Sequence, residues 1–463
     1  MMRNLKPKKV CLIHSPLEDS AYKTTLIKSL APLNLISLAT YLSNNFQDLD
    51  IKIINGELLG LEKTIEESNN FSADIVGIGV QSCESYSTAV QIAEKVKTDN
   101  NKIIIGGKHV SSIANQILKN RTYINYVIKG DGELSLKCIL EGIPFQNIPN
   151  LVYRDKNNNI IMNREKNLSL REIPIPNRCL ISQEEYSKNF QDTLESKITG
   201  FKSMALARTQ KGCIKAIRHG VCTFCIRDDI LKVDFKSPDR FWEEMSYLES
   251  LGVDHVWDVS PSFTGASIKY LSSLVSKKPK SSKIRYRIYG NATELLDENK
   301  VDLLNKLGVE NILIGFESGN QRCLDLSNKH ASLYQHLEAT KNLKKYGIAV
   351  CASFILGHLG ETKKSLKDTL NHIKELKDIL GEKLFRSVTC SKMQLYPGSV
   401  EWNIYCNTFP HLMNKYAERD IIPLQEISKQ YIQNYLHLDV GELEEIIKKI
   451  RAIPLIGVGK DKI

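Results

Sequence analysis

The chain has 463 residues, of which 42% are hydrophobic and 25% are charged, a balance typical of a globular protein with sizeable apolar cores. No stretch approaches the roughly 20 apolar residues of a membrane-spanning helix, and the apolar run near the N-terminus is too short for a secretory signal. The formal net charge of +10 is spread over helix faces, which favours a solvated basic surface over nucleic-acid binding.

The first 142 residues alternate strand-like and helical segments, the pattern of a parallel sheet covered by helices. Apolar runs such as DIVGIGVQ and KIIIGGKH are typical of strands with both faces buried. Five such strands predict a flavodoxin-like (Rossmann-type) doubly wound domain over residues 1–142, with its ligand site beyond the carboxyl ends of the strands. Glycines stand at these ends, at Gly106-Gly107 and at Gly130, where they either admit a ligand to the backbone or make tight turns.

Residues 143–195 break this alternation. The segment NLVYRDKNNNIIMNR predicts a hairpin that turns at the asparagine run, and IPIPNRC predicts an extended connector stiffened by its prolines. We therefore interpret residues 143–195 as a linker that carries a small hairpin, with a domain boundary near residue 195.

A second strand-and-helix block occupies residues 196–400. Its strands are predicted at SMALARTQ, HVWDVS, IRYRIYG, NILIGF, AVCASFIL and RSVTCSKMQLY, with helical segments between them. Six βα units make a partial (β/α)6 barrel, whose active site is expected at the carboxyl ends of the strands. Residues 401–463 are predicted to form a helical C-terminal region.

The eleven cysteines are an odd number in a chain with no evident export signal, so we expect reduced thiols and a cytoplasmic protein. Three of them, Cys213, Cys222 and Cys225, follow the first barrel strand. Thiolates at this spacing suit an iron–sulfur cluster, zinc or Cu(I), and three thiolates on a four-iron cluster leave one iron open to bind a substrate. A zinc site needs a fourth ligand, for which His219 or Cys179 is available, and a chance grouping is the third alternative.

Motifs in both blocks point to one family. The second block contains VWDVSPSFTG, NILIGFESGNQRCLDLSNK, SFILGHLGETKKSL and YPGS, and the first contains APLNLISLATYL, IIIGGKH and VIKGDGELSL. Over residues 8–400 the chain resembles the radical S-adenosylmethionine (SAM) superfamily, in the class with an N-terminal cobalamin-binding domain. It departs from that family twice: the cysteine spacing is C-x8-C-x2-C instead of C-x3-C-x2-C, and no D-x-H-x-x-G motif marks a histidine ligand for cobalt.

The resemblance implies an enzyme whose [4Fe–4S] cluster, held by Cys213, Cys222 and Cys225, reductively cleaves SAM to methionine and a 5′-deoxyadenosyl radical. It also implies that side chains at the barrel strand ends bind SAM and that strand-end residues of the first block bind cobalamin. The residues predicted for SAM are Glu317, Asp258, Ser260, Arg287 and Gly357, and those predicted for cobalamin are Gly107, His109 and Gly130.

The favoured function is cobalamin-dependent methyl transfer to an unactivated carbon of a small molecule or peptide. Electrons would come from an external donor such as flavodoxin or ferredoxin. One alternative uses the radical for a rearrangement or cyclisation without methyl transfer, and another is a non-catalytic zinc- or cobalamin-binding sensor. Methylthiolation of tRNA is disfavoured because no RNA-binding β-barrel follows the catalytic domain. Neither a membrane nor a nucleic-acid partner is expected.

Overall fold

The structure, a computed structural model, describes residues 8–18, 25–226, 232–416 and 418–453. The chain divides into two compact units, of which the first comprises Met1–Thr193 with Phe409–Ile422 and the second comprises Leu194–Thr408 with Pro423–Ile463. The sequence did not predict that Phe409–Ile422 returns to the first unit.

A seven-stranded sheet forms the centre of the first unit. Its strands are β1 (Lys9–His14), β2 (Asp50–Asn55), β3 (Ile75–Gly79), β4 (Lys102–Gly106), β5 (Tyr126–Ile128), β6 (Leu151–Arg154) and β7 (Ile160–Met162). The order is β2-β1-β3-β4-β5-β6-β7, with β1 to β5 parallel and β6 and β7 antiparallel. The first five strands have the flavodoxin-like order, which confirms the predicted fold. The predicted hairpin is not part of a separate linker, because β6 pairs with β5 and so extends the same sheet.

Helices cover both faces of this sheet because alternate strand residues point to opposite sides. The helices are α1 (Thr25–Lys28), α2 (Leu33–Asn45), α3 (Gly56–Leu59), α4 (Leu61–Phe71), α5 (Tyr86–Val96), α6 (Lys108–Ser112), α7 (Ala114–Asn120), α8 (Glu133–Leu140) and α9 (Gln183–Gln191), with 3-10 turns at Cys83–Ser85, Phe145–Asn147 and Arg178–Leu180. Val10 and Leu12 pack with α2 and α8, whereas Cys11 and Ile13 pack with α5 and α7.

One segment of the described residues, Leu26–Asn45, is long and apolar enough to cross a membrane by length and composition. Half of it is buried inside the protein. Within it, α1 ends at Lys28 and α2 begins after Pro32, and Leu35 and Leu42 lie in the core of the first unit. A core helix passes the same test, so the segment is weak evidence for a membrane span.

A buried carboxylate fixes the segment Phe409–Ile422 to the first unit. Asp420 accepts hydrogen bonds from the Tyr86 hydroxyl at 2.7 Å and from Arg121 Nε at 2.7 Å. The side chain of Asn120 donates to the same carboxylate at 3.3 Å. These contacts explain how a segment more than 200 residues from the rest of this unit becomes part of it.

The second unit contains a six-stranded parallel sheet and a short ribbon. The strands in chain order are β8 (Met204–Ala207), β9 (Gln210–Lys211), β10 (Asp234–Phe235), β11 (His255–Asp258), β12 (Arg285–Gly290), β13 (Val309–Glu317), β14 (Ala349–Leu356) and β15 (Phe385–Lys392). The large sheet has the order β8-β11-β12-β13-β14-β15, and β9 and β10 pair antiparallel. Parallel neighbours in chain order confirm the predicted partial (β/α)6 architecture.

Twelve further helices follow within the described residues. They are α10 (Leu194–Thr199), α11 (Ile214–His219), α12 (Pro238–Ser250), α13 (Ile268–Ser276), α14 (Glu298–Leu307), α15 (Gln321–Leu326), α16 (Leu333–Lys345), α17 (Lys363–Leu384), α18 (Val400–Thr408), α19 (Pro410–Tyr416), α20 (Leu424–Gln430) and α21 (Val440–Arg451), with 3-10 turns at Phe263–Gly265 and Ala292–Leu295 and a π-helical turn at Tyr431–Tyr435. Most lie between the barrel strands, and α18 to α21 form the predicted helical C-terminal region, of which α19 belongs to the first unit.

We expect Gly107→Ala to destabilise the first unit strongly. Gly107 has φ +125°, and a Cβ atom there would overlap the carbonyl oxygen of Val80. Left-handed strain and steric overlap together should cost roughly 3 kcal/mol or more in the free energy of unfolding. Gly142→Ala is the control, because Gly142 has φ +74° with no atom within 4 Å of a Cβ, and it should cost about 1 kcal/mol. Equal losses in urea unfolding would contradict the steric argument.

Candidate active site

The cysteine loop begins at the carboxyl edge of the second sheet, directly after β8. Cys213 precedes α11, and Gly220, with φ +79°, ends that helix. Cys222 and Cys225 then form a tight turn, in which the Cys225 N–H donates to the Cys222 carbonyl at 3.0 Å. The additional residues between the first two cysteines are therefore folded into a short helix, which explains how the long spacing is accommodated.

Asp258 and Ser260, predicted to line the SAM site, hold the start of the cysteine loop. The Ser260 hydroxyl accepts the N–H groups of Thr209 at 3.0 Å and Gln210 at 2.8 Å. Asp258 accepts the Thr209 hydroxyl and the Ser260 N–H, and burial raises the pKa of Asp258. Both side chains are buried and engaged, so the structure gives them a supporting place in the site. Their contact with SAM stays a prediction.

Glu317, the last residue of β13, combines three features of a ligand-binding group. Its backbone has φ +65°, a strained conformation for a residue with a side chain. Its carboxylate is buried, and Oε2 has no hydrogen-bond partner among the described residues. A Cβ atom at Gly315 would overlap Oε1, so glycine is needed there to make room for the carboxylate.

Lys329 forms an ion pair with Glu317, and it was not identified as a site residue from the sequence. Its Nζ donates to Glu317 Oε1 at 3.1 Å, and both side chains are less than 10% exposed. Burial lowers the pKa of Lys329, but Glu317, Cys222 and Cys213 together hold that pKa above its ordinary value. The segment before Lys329 also contacts the cysteine loop, since the Asn328 side chain donates to the Val221 carbonyl at 2.9 Å and the Thr223 N–H donates to the Ser327 carbonyl at 3.0 Å. No local pattern distinguishes this lysine from the many exposed ones, so only the structure could identify it.

Arg287 and Gly357 are placed differently from one another. Arg287 lies inside β12 and not at its end, and its guanidinium is 4.1 Å from the ring centroid of Trp257. Gly357 directly follows β14, has φ +96°, and donates its N–H to Glu361 at 3.2 Å. A strand end at Gly357 suits close approach to a ligand, whereas Arg287 lies deeper in the sheet. Both assignments to SAM stay predictions.

The predicted cobalamin residues lie together beyond β4 and β5. The Ser111 hydroxyl donates to the Gly107 carbonyl at 3.0 Å and accepts the Gly130 N–H at 3.3 Å. His109 is buried with its ring 5.4 Å from that of Tyr86, and burial lowers its pKa to about 4. The structure thus joins these three residues at one edge, and the packing of His109 and Gly107 also gives each of them a structural role.

Neighbouring glycines fit a flat ligand at this edge. Gly79 and Gly106, the last residues of β3 and β4, lie in register, and a Cβ at either would meet only ordinary contacts of 3.4 Å or more. Protein packing therefore does not require glycine at these positions. Two strand ends without side chains leave backbone that a corrin ring can approach closely, so the residues present fit cobalamin.

The loop cysteines differ chemically from the core cysteines. Cys213, Cys222 and Cys225 are partly exposed, whereas Cys11 and Cys390 are buried, and burial raises the pKa of each of those two thiols to about 12. Accessible thiols are the ones that ionise and bind metal. Within the described ranges no three His, Cys, Asp or Glu side chains are arranged as metal ligands, so the fit to a cluster rests on donor chemistry. No described cysteine forms a disulfide.

The two alternative ligands lie in different units. Cys179 is exposed and belongs to the first unit, and the ring of His219 stacks on that of His330 with centroids 3.5 Å apart.

A cavity of about 540 Å³ opens beside α11. Its lining is mainly polar and includes Lys215, Arg218, His219, Glu294, Asp297, Gln321 and His330.

Comparison with known proteins gives matches for both units. The family model "Radical SAM superfamily" matches residues 209–373, and the "B12 binding domain" model matches residues 21–140. The "Uncharacterized methyltransferase PH0819" of Pyrococcus horikoshii is 25% identical over 93% of each chain. An anaerobic magnesium-protoporphyrin IX monomethyl ester cyclase of Rubrivivax gelatinosus is 24% identical over 67% of this chain and 56% of its own length.

A solved structure shares the fold. The cobalamin-dependent S-adenosylmethionine radical enzyme OxsB, solved with aqua-cobalamin bound, aligns with a TM-score of 0.68 and 15% identity. The alignment covers 90% of this chain and 62% of OxsB.

Proposed function

Since this chain belongs to the radical SAM superfamily, in the class with an N-terminal cobalamin-binding domain, we propose that it is a cobalamin-dependent methyltransferase acting on an unactivated carbon. The observation that carries the proposal is the buried Glu317–Lys329 pair beside the cysteine loop, at the carboxyl ends of the second sheet. A relative named as a methyltransferase, matched over 93% of both chains, supports methyl transfer.

The family implies a [4Fe–4S] cluster and SAM, and the B12-binding domain implies cobalamin. When bound, the cluster supplies the electron that cleaves SAM into methionine and a 5′-deoxyadenosyl radical, and cobalamin supplies a methyl group. We assign Cys213, Cys222 and Cys225 as cluster ligands. Lys329 suits the carboxylate of SAM, and the unpartnered Glu317 Oε2 suits its amino or hydroxyl groups.

Asp258 and Ser260 act through the backbone and orient the cysteine loop. Asp258 and Ser260 hold the backbone that leads into the cysteine loop. The polar lining of the cavity beside α11 favours a polar small molecule or a peptide as substrate. We further propose an external reductant such as flavodoxin or ferredoxin and a reducing, cytoplasmic setting.

Anaerobic reconstitution with SAM, hydroxocobalamin and dithionite tests the proposal. Mass spectrometry should find both 5′-deoxyadenosine and S-adenosylhomocysteine, because methyl transfer consumes SAM as radical source and as methyl donor. Deoxyadenosine alone would favour the rearrangement or cyclisation alternative, which is the activity class named for the Rubrivivax relative. Protein that binds zinc or cobalamin but forms neither product would favour the sensor.

Cobalamin should bind without a histidine on cobalt. No D-x-H-x-x-G motif is present, and His109 packs against Tyr86. The electron paramagnetic resonance (EPR) spectrum of bound cob(II)alamin should therefore lack nitrogen splitting from an axial imidazole. His109→Phe is the matched variant and should leave that spectrum unchanged. Nitrogen splitting that disappears in His109→Phe would contradict the prediction.

A further inference from the structure

A fully buried carboxylate holds the tip of the cysteine loop. Glu401 lies in the first turn of α18, and its Oε1 accepts the Thr223 hydroxyl at 2.6 Å. The Glu401 N–H donates to the Thr223 carbonyl at 3.0 Å, so side chain and backbone both hold this residue. Glu401 Oε2 accepts the Tyr431 hydroxyl at 3.2 Å, which fixes the carboxylate from the other side.

A buried histidine lies beside Glu401 and Phe224. His358 is fully buried, and its ring centroid is 5.1 Å from that of Phe224. Its Nδ1 lies 3.7 Å from Glu401 Oε1, and neither ring nitrogen has a hydrogen-bond partner among the described residues. Burial disfavours the charged imidazole, but the Glu401 carboxylate raises the pKa of His358 above its ordinary value.

Glu401 and His358 contact the two residues that separate the last two loop cysteines. Thr223 and Phe224 are the two residues between Cys222 and Cys225. Hydrogen bonds to Thr223 and packing against Phe224 therefore restrain the whole turn that presents both thiols. Burying a carboxylate and an imidazole costs desolvation free energy. In this protein the buried pair restrains the turn between Cys222 and Cys225.

We propose that Glu401, supported by His358, is a positioning residue that fixes the Cys222–Cys225 turn and sets the charge beside it. This inference rests on the proposed function, in which these cysteines hold a [4Fe–4S] cluster. Partners of metal ligands orient those ligands, and losing one commonly weakens metal binding about 10- to 100-fold. At alkaline pH, where His358 is neutral, the Glu401 carboxylate is a net negative charge near the cluster, and it lowers the reduction potential because it disfavours the reduced, more negative cluster.

Variants of the full chain test the positioning first without any cluster. In the metal-free protein, Glu401→Ala and Thr223→Val should each raise the alkylation rates of Cys222 and Cys225 at least about tenfold, because the turn loosens. The rate at the exposed Cys179 should not change. Thr223→Ser keeps the hydroxyl and should restore the wild-type rates. Thr223→Val added to Glu401→Ala should have little further effect, since both remove the same hydrogen bond.

The reconstituted protein tests the charge. At alkaline pH, where His358 is neutral, Glu401→Gln should move the midpoint potential of the cluster to more positive values, and Glu401→Ala should broaden its EPR signal. Glu310→Gln is the matched control, because Glu310 is also a largely buried carboxylate near a histidine but lies at the opposite end of β13. It should lower the melting temperature without changing the potential or the EPR signal.

Two failures are distinguishable. Unchanged alkylation, potential and EPR in Glu401→Ala and Thr223→Val, with only a lower melting temperature, would overturn the positioning inference while the wild type still carries its cluster. Wild-type protein that takes up no iron would overturn the proposed function before any variant is compared.

Discussion

Replacing Cys213, Cys222 or Cys225 by Ala is expected to remove the iron and abolish SAM cleavage. Three thiolates are the minimum that hold a four-iron cluster with one open iron, so loss of any one leaves the cluster without its binding site. Wild-type protein purified without oxygen should be brown, with about four irons per chain and a broad absorption near roughly 400 nm. Iron analysis and 5′-deoxyadenosine formation measure the loss in each variant.

Two cysteines outside the loop provide the control for this experiment. Cys351 is 1% exposed and Cys83 is partly buried, and neither lies in the cysteine loop. Cys351→Ala and Cys83→Ala should cost packing energy on the order of 1 kcal/mol and leave the iron in place. Iron retained in Cys213→Ala would contradict that ligand and point to Cys179 or His219.

Glu317→Gln is expected to reduce SAM binding and SAM cleavage about 100-fold. A hydrogen bond to a charged group contributes about 1.5–3 kcal/mol, and each 1.4 kcal/mol is tenfold in affinity. The amide removes the negative charge while keeping the shape of the side chain. Equilibrium dialysis with SAM and the rate of 5′-deoxyadenosine formation measure the two effects.

Measuring the free energy of unfolding distinguishes an effect on SAM binding from an effect on folding for the Glu317–Lys329 pair. Glu317→Ala leaves the Lys329 ammonium buried without a partner and should cost about 3–5 kcal/mol in the free energy of unfolding. Lys329→Met with Glu317→Gln removes both charges and should recover much of that stability without recovering SAM binding. Glu244, paired with Lys236 and equally buried on α12, is the matched control. Glu244→Gln should destabilise the protein and leave SAM affinity unchanged; a similar loss of affinity there would contradict the role of Glu317.

The order of strands and helices and the α/β fold class could be predicted from the sequence alone. Apolar runs and helical periodicity are local properties, so the alternation of strands and helices in both units could be predicted without a structure. The cysteine loop was visible for the same reason, since its ligand candidates lie within one short segment after a strand. Family motifs added the expected cofactors, which the matches to residues 21–140 and 209–373 bear out.

Which distant residues lie together in one site could be learned only from the three-dimensional fold. Thr223 and Glu401 are 178 residues apart, and Tyr86 and Asp420 are 334 apart, and no local pattern marks either pair. In the sequence Lys329 cannot be distinguished from a surface lysine, because its burial beside Glu317 arises only on folding. The hairpin of β6 and β7 was assigned to a linker because its sequence does not show which strand it pairs with. In the structure β6 pairs with β5. Contacts between distant residues depend on how the strands and loops pack, so these four features became visible only in three dimensions.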